Sequence, residues 1–268
     1  MLSAESLIQK LTLSVHNDPK NCLENGVRIY DPPIVGFADA ENPLFPEMKK
    51  ESVVGNLFIL PGEWLPGAVT VISYFLPFTK DVRSSNYGPD VPSHEWNHAR
   101  FMGEDFSDDI RRLIISEIEK LGKKAVAPVL EKNYVVDNIN FLSSWSERHA
   151  AFVAGLGTFS LSRGMITRKG MAGRFGSVIT DAEFPTTERE YSTPFQYCLW
   201  FERDSCGACI DRCPSGAITA SGKDKSKCHH LLTVEDPLRE MNKIYAYPYS
   251  SCGKCQTNVP CEDKIPEE

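Results

Sequence analysis

No apolar run in this chain reaches the length of a membrane span. The longest stretch without a charge, residues 64–79, has 16 residues and is broken by Pro66, Gly67 and Pro77, whereas a bilayer-crossing helix needs about 20. An unbroken secretory apolar segment is missing as well, because Glu5 and Lys10 interrupt the opening residues. Positive charge is not in excess: 29 Lys and Arg against 36 Asp and Glu leave a net charge of −7. That balance disfavours unspecific adhesion to nucleic acid or anionic membrane. Internal repeats of solenoid type and low-complexity tracts are also wanting. These absences predict a cytoplasmic globular protein with no membrane partner. Its 268 residues, 41% hydrophobic, suffice for a real core and approach the size of two domains.

Cysteine is nearly absent from most of the chain and crowded at one end. The first 197 residues hold only Cys22, while eight cysteines fall in the 64 residues from Cys198 to Cys261. A chain kept reduced has little use for four disulfides in one such window, so these thiols point to metal coordination.

Periodicity assigns mixed α and β structure to the first part. Leu7, Ile8 and Leu11 share a helical face after a capping Ser3, and Asp18-Pro19 makes a stop. Residues 53–60 and 68–76 are β-branched, aromatic and bounded by Pro-Gly, which predicts two buried strands. Residues 80–95 read as a loop. The spacing of Ile110, Leu113, Ile114, Ile118 and Leu121 predicts a helix over 108–121, capped by Ser107 and closed by Gly122. A further helix is expected over 146–153, ending at Gly155-Leu156-Gly157, and a strand over 176–180. Residues 181–196 (DAEFPTTEREYSTPFQ) are polar and aperiodic, as a boundary between domains is. The division is therefore a mixed α/β domain over 1–181, then a linker and cysteine module over 182–268.

Cys206, Cys209 and Cys213-Pro214 have the spacing C-x2-C-x3-C-P, the last three-quarters of the bacterial ferredoxin run C-x2-C-x2-C-x3-C-P. The missing first ligand falls at Arg203, and Cys198 five residues upstream is the candidate to replace it. Cys228, Cys252, Cys255 and Cys261 complete a second set of four. By ferredoxin logic Cys198, Cys206, Cys209 and Cys261 bind one [4Fe–4S] cluster, and Cys213, Cys228, Cys252 and Cys255 the other. Two structural zinc sites are the alternative, since tetrahedral zinc also uses C-x2-C pairs; the Cys-Pro-Ser-Gly-Ala-Ile run favours iron and sulfur.

The run SERHAAFVAGLGTFSLSRGMIT, then GSVITD, CGACIDRCPSGAI, KCHHLLTVED and CGKCQTNVPC, resembles epoxyqueuosine reductases and their reductive-dehalogenase relatives, from about residue 137 to 261. The resemblance implies an α+β architecture: a nitroreductase-like α/β domain that binds cobalamin, joined to a bacterial-ferredoxin-like module with two [4Fe–4S] clusters. It also places the neighbourhood of Arg148, Gly155 and Gly157 beside the cofactor. Two departures stand out. Where the family has a proton-donating aspartate and a proline before Glu-Arg, this chain has Phe141 and Ser144, with Asp137 nearby. The last cysteine group reads C-x2-C-x5-C, with Pro260 before Cys261.

Other residues carry competing readings. Glu147 and Arg148 serve either a site or an ordinary helix start, and the glycines at 155 and 157 either admit a cofactor or close a helix. Residues 163–174 (RGMITRKGMAGR) lack the Lys-Ser/Thr ending of a phosphate-binding loop and read as a solvated loop. His229-His230 adjoin Cys228 but face two sites already filled by cysteine, and His94 and His98 lack a third ligand. Tyr245, Tyr247 and Tyr249 are placed to shield a cluster from water. Lone Cys22 reads as a small buried residue.

Two functions stay open. One is an oxidoreductase in which two clusters feed electrons from a donor protein to cobalamin, which acts on a small molecule. The other is an electron-transfer protein without an organic cofactor, delivering to another protein or a corrinoid carrier. The cysteine module, with eight basic and seven acidic residues between Cys198 and Cys261, has no charge bias to decide between them. Its charge makes nucleic acid an unexpected partner, although the resemblance keeps tRNA open.

Overall fold

The computed structural model describes residues 3–88, 91–236, 238–244 and 251–267. The expectation for Tyr245, Tyr247 and Tyr249 lies outside the described residues. The architecture is mixed α+β, built on one antiparallel sheet of β1 (Ile34–Asp39), β2 (Thr70–Pro77), β3 (Ala125–Val126) and β4 (Gly173–Thr180), in the order β1-β2-β4-β3.

All eight residues of β2 are buried, because both faces of the sheet are covered. Ile72, Tyr74 and Leu76 face the apolar cluster built with helices α1 (Ala4–Asn17) and α3 (His94–Glu119), with α2 (Lys80–Ser85) between β2 and α3. Val71 and Phe75 face the opposite side, where α4 (Glu147–Val153) packs with Ala150, Ala151 and Val153. A central strand covered on both faces reads as one apolar run, which is why the sequence reveals it.

The ends of α1 follow the expected chemistry: the Ser3 hydroxyl accepts from the Ser6 N–H, and the Asp18 N–H closes on Ser14. α4 likewise occupies the predicted segment. Four readings need correction. Residues 53–60 form turns rather than a strand; Val54 and Gly55 bond back to Met48, while Val54 and Phe58 enter the core from irregular backbone. The strand that does lie there in space is β1, disguised by Gly36. A Cβ at Gly36 would stand 2.2 Å from the Ala154 carbonyl, so glycine is what lets the end of α4 approach the strand.

α3 is 26 residues long and starts at Ser93, which caps it through the Trp96 N–H at 3.0 Å. Ser107 is therefore internal; its carbonyl accepts from the buried Tyr74 hydroxyl at 2.8 Å. Residues 80–95 hold α2 and the start of α3 rather than a loop alone. Residues 163–174 are not a solvated loop: Met165–Thr167 pairs with Gly157–Phe159, and Met165, Ile166, Thr167, Met171 and Ala172 are buried.

The segment expected to be a linker packs closely. Phe184 stacks on Phe37 at 5.2 Å between ring centres, and Thr187 exchanges two hydrogen bonds with Phe37. Beyond it come α5 (Leu199–Arg203), α6 (Ala208–Asp211), α7 (Lys225–Thr233) and α8 (Leu238–Ile244). A hairpin of Ile218–Thr219 with Gly222–Lys223 separates α6 from α7. Among the described residues no helix is long and apolar enough to cross a membrane.

Candidate metal centre

Local geometry presents the cysteines from tight turns. Cys198 precedes α5, Cys206 has a positive φ of 76° and is followed by Gly207 at 110°, Cys209 lies on α6, and Cys228 lies on α7. Cys252 precedes, and Cys255 lies within, a one-turn helix, Lys254–Gln256, that starts from Gly253 at φ 64°. Two groups of four result. Cys209 and Cys261 each interact electrostatically with the other two of their set, Cys198 and Cys206. Cys213, Cys228, Cys252 and Cys255 line a cavity of about 180 Å³. The groups adjoin where Cys209 meets Cys255. Among the described residues, no three His, Cys, Asp or Glu side chains converge to hold a single metal ion. Cys22 is half-buried, on a bridge with Arg28.

Burial pushes the Cys209 and Cys252 thiols up to about 12 and raises Cys261 and Cys228 as well. Cys213 differs. Burial opposes its ionisation, but the Ser215 hydroxyl at 3.5 Å and the N–H groups of residues 215, 217 and 218 bring its thiol below the ordinary value. Such N–H groups aimed at sulfur stabilise a thiolate.

The cysteine module is locked onto the first half. Lys254, 1% exposed, donates to the carbonyls of Asn86, Gly88 and Val91 at 3.2, 2.7 and 2.9 Å and to the Asn86 side chain at 3.1 Å. Arg83 pairs with buried Glu262 at 2.8 Å and with Asp263 at 3.0 Å. Gly253 lies flat on Trp96, where a Cβ would come within 2.1 Å of the indole.

Next to the thiol cavity, and sharing Arg100, Arg174 and Gln256 with it, opens a charged cleft of about 610 Å³. At its base Arg111, 1% exposed, pairs with Asp108 at 2.6 Å, Glu147 at 3.0 Å and Glu104 at 3.2 Å. The Ser177 hydroxyl donates to Glu147 and accepts from the Trp145 indole N–H at 2.9 Å. Glu147 is thus a member of a buried network rather than a surface helix cap. Burial raises its pKa against the pull of Arg111. Burial acts on Glu104 too, but Arg174, Arg111 and Arg100 together hold it below the usual value.

Arg148 stands between this cleft and a second, more apolar cavity of about 530 Å³. Its guanidinium donates to the Arg163 carbonyl and interacts electrostatically with Cys255. Gly155 and Gly157 have protein for near neighbours: the Glu188 carbonyl lies 3.1 Å from a Cβ built at Gly155, and the Ile166 carbonyl 2.0 Å from one at Gly157.

The hairpin carrying the family's acid position pairs Val136–Asp137 with Leu142–Ser143, and Tyr134, Val136 and Ser143 line the cleft. Phe141, at φ 58°, turns toward α7, beneath Lys225 at 5.7 Å and edge-on to His229. Asp137 caps its own turn, accepting from the N–H groups of Asn140 and Ile139 and the Asn140 amide, which hold it below the usual carboxylate range. His94 and His98 stack at 4.1 Å, and His230 lies 3.7 Å from Glu235.

Sequence reasoning missed Arg100, Glu104, Arg111, Arg174, Lys223 and Lys254. One signal was available for Arg111: a charge on the apolar face of α3, beside Ile110 and Ile114, demands a buried partner.

Comparison with known proteins finds epoxyqueuosine reductases and reductive dehalogenases. No protein-family profile matches the chain. An epoxyqueuosine reductase from Bacillus cereus is 27% identical, over 73% of this chain and 49% of its own. The chain therefore spans about half the length of that relative. Epoxyqueuosine reductase from Streptococcus thermophilus superposes with a TM-score of 0.52 at 16% identity, covering 97% of this chain and 66% of its own. An epoxyqueuosine reductase bearing a tRNA-Tyr stem loop gives 0.53 at 19%, over 96% and 64%. A reductive dehalogenase described as acting by B12-dependent dehalogenation gives 0.52 at 16%, over 75% and 27%. The chain is similar in sequence to an epoxyqueuosine reductase and shares the fold of such enzymes.

Proposed function

We propose that this protein is an iron–sulfur oxidoreductase in which two [4Fe–4S] clusters relay single electrons to a corrinoid in the charged cleft. In this reading residues 1–181 hold the organic cofactor and substrate, residues 182–268 hold the clusters, and the protein works in the cytoplasm. The observation that carries it is the junction of the thiol cavity of Cys213, Cys228, Cys252 and Cys255 with the cleft through Arg100, Arg174 and Gln256.

The residues fit the groups. Thiols spread around a shared space suit a cubane, whose four irons take one sulfur each; a single zinc draws four sulfurs to one point. The cleft and the cavity beyond Arg148, about 610 and 530 Å³, together have the extent a macrocycle with a side arm requires. Arg148 and Tyr134 would hold its polar substituents, and Ser143 and Ser146 offer further hydrogen bonds. A bound corrinoid supplies low-valent cobalt able to attack an organic substrate. Around it the chain's own residues bind and orient. The Arg111–Glu147–Ser177 network fixes the cleft floor, and Arg100 and Arg174 present positive charge to an anionic substrate.

Phe141 and the self-capped Asp137 leave the family's proton donor without a counterpart on that hairpin. For that reason the substrate is assigned as a small organic anion rather than tRNA. The same feature favours the second reading, an electron carrier that passes charge to another protein or to a corrinoid carrier. Anaerobically purified protein is expected to be brown, with about eight iron atoms per chain, and to retain added cobalamin with altered visible bands. Brown protein that retains no corrinoid selects the electron carrier, and colourless protein without iron overturns both readings.

A further inference from the structure

We propose that the two thiol groups are electrically unequal by construction, so that the inner cluster, at Cys213, Cys228, Cys252 and Cys255, has the higher reduction potential and electrons run inward from the outer one. This rests on the two-cluster reading. The cavity of the inner group is lined by three cations, Arg100, Arg174 and Lys223, and among the described residues by no carboxylate. Arg100 and Arg174 both pair with Glu104, at 3.4 and 3.7 Å. Lys223 lies, half-buried, on the short Gly222–Lys223 strand and lines the same cavity as Cys228 and Cys255, whose sulfurs act electrostatically on its ammonium. Lys254, from the turn between Cys252 and Cys255, adds a buried ammonium that donates to the carbonyls of Asn86, Gly88 and Val91 and also acts electrostatically on Cys252.

The outer group is surrounded differently. Cys206 is exposed and opens on a surface depression lined by one charge of each sign, Arg203 and Glu267. Cys261 interacts with the other three thiols of its group, and Cys209 first with Cys255 of the inner group and then with Cys198 and Cys206.

A cluster gains negative charge on reduction, so a fixed cation at its ligands stabilises the reduced state and raises the potential. Water at the outer group acts in the same direction, but it reaches mainly Cys206, whereas Lys223, Arg100 and Arg174 put three full positive charges on the cavity of the inner sulfurs. In the resulting step the reduced outer cluster gives one electron to the oxidised inner cluster where Cys209 and Cys255 adjoin. A one-electron donor protein restores the outer cluster, and the acceptor in the cleft reoxidises the inner one. No proton is transferred.

The test is an anaerobic redox titration of the whole protein followed by electron paramagnetic resonance, with iron and sulfide content measured on each sample. Two one-electron steps are expected. Lys223→Met should lower the midpoint of the higher one by the equivalent of about a tenfold change in its equilibrium, about 59 mV for one electron, leaving the lower step in place. Lys223→Arg should restore it. Cys206→Ser, which alters the outer signal, identifies which step is which. Coincident midpoints, a higher outer cluster, or a Lys223→Met variant that moves both steps alike or neither would overturn the inference while leaving two clusters standing. Absence of iron and sulfide removes the two-cluster reading and the inference with it.

Discussion

The sheet half and the thiol half of this molecule are held together by different means. Around the sheet, two large apolar clusters join α1, α3 and α4 to the strands, with Tyr30, Tyr74, Phe78 and Trp145 fully buried. The cluster that reaches the thiols is small, and three of its six buried members, Leu161, Ile166 and Met171, belong to the first half. Among the described residues, 198–267 contribute Cys198, Ile218 and Val259 to its buried part. A segment with so little apolar material needs another source of order. It has the docking contacts of Arg83, Lys254 and Gly253 and, in the proposed function, the clusters.

The strongest way to break this contrast is to remove the inorganic part. Chelation of iron should collapse amide protection in 198–233 and 251–267 by about a thousandfold, roughly 4 kcal/mol, while β1, β2 and β4 change by less than about tenfold. Hydrogen exchange read by mass spectrometry checks it, and equal loss in both halves would show that the sheet half depends on the clusters too.

Next in size is the clamp between the halves. Arg83→Met leaves Glu262 buried without its guanidinium and should cost about 3–5 kcal/mol in thermal or denaturant unfolding. Adding Glu262→Met should recover part of that, because a buried carboxylate without its counter-charge is the costly element, although Tyr87 and the Asn258 N–H then lose their acceptor. Within the sheet half, Tyr74→Phe deletes the hydroxyl that Ser107 accepts from and is expected to cost about 1 kcal/mol, with the thiol half unaffected.

The smallest effect is one of pH, and it distinguishes the halves by their titrating groups. The Cys209 and Cys252 thiols, held at about 12 by burial, are protonated at neutral pH in the metal-free chain. Metal binding must expel those protons, so apparent iron affinity rises with pH between 7 and about 9, which competition with a chelator measures. In the sheet half His149 runs the other way. Burial lowers it to about 3, below its ordinary value of 6.5, so it favours the folded state above pH 6.5 and that stability is lost as pH falls toward 3. His149→Gln should flatten the acid limb of an unfolding curve.

How much of this was readable in the sequence follows the range of the interactions. Elements with a local period or cap declared themselves: α1 through Ser3, the second part of α3 through its isoleucines, and β2 through its apolar run. β1 hid because Gly36 serves a contact with α4, more than a hundred residues away. Residues 53–60 misled because β-branched side chains fill a core from turns as well as from strands. The crowding of the cysteines and their short C-x2-C turns were legible because that spacing is local. Arg100, Glu104, Arg111 and Arg174 were not, and Glu147 was left with two readings, since only the folded sheet brings α3, α4 and β4 to one cleft.

Gly253 has a use outside this molecule. Its positive φ and its contact with Trp96 leave space for hydrogen alone, so any larger residue would prise the loop away from the indole. A Cys-Gly-Lys-Cys string paired with an upstream tryptophan at the start of a long helix is therefore a signature for sorting uncharacterised genomes, marking chains that close their two parts by the same seal.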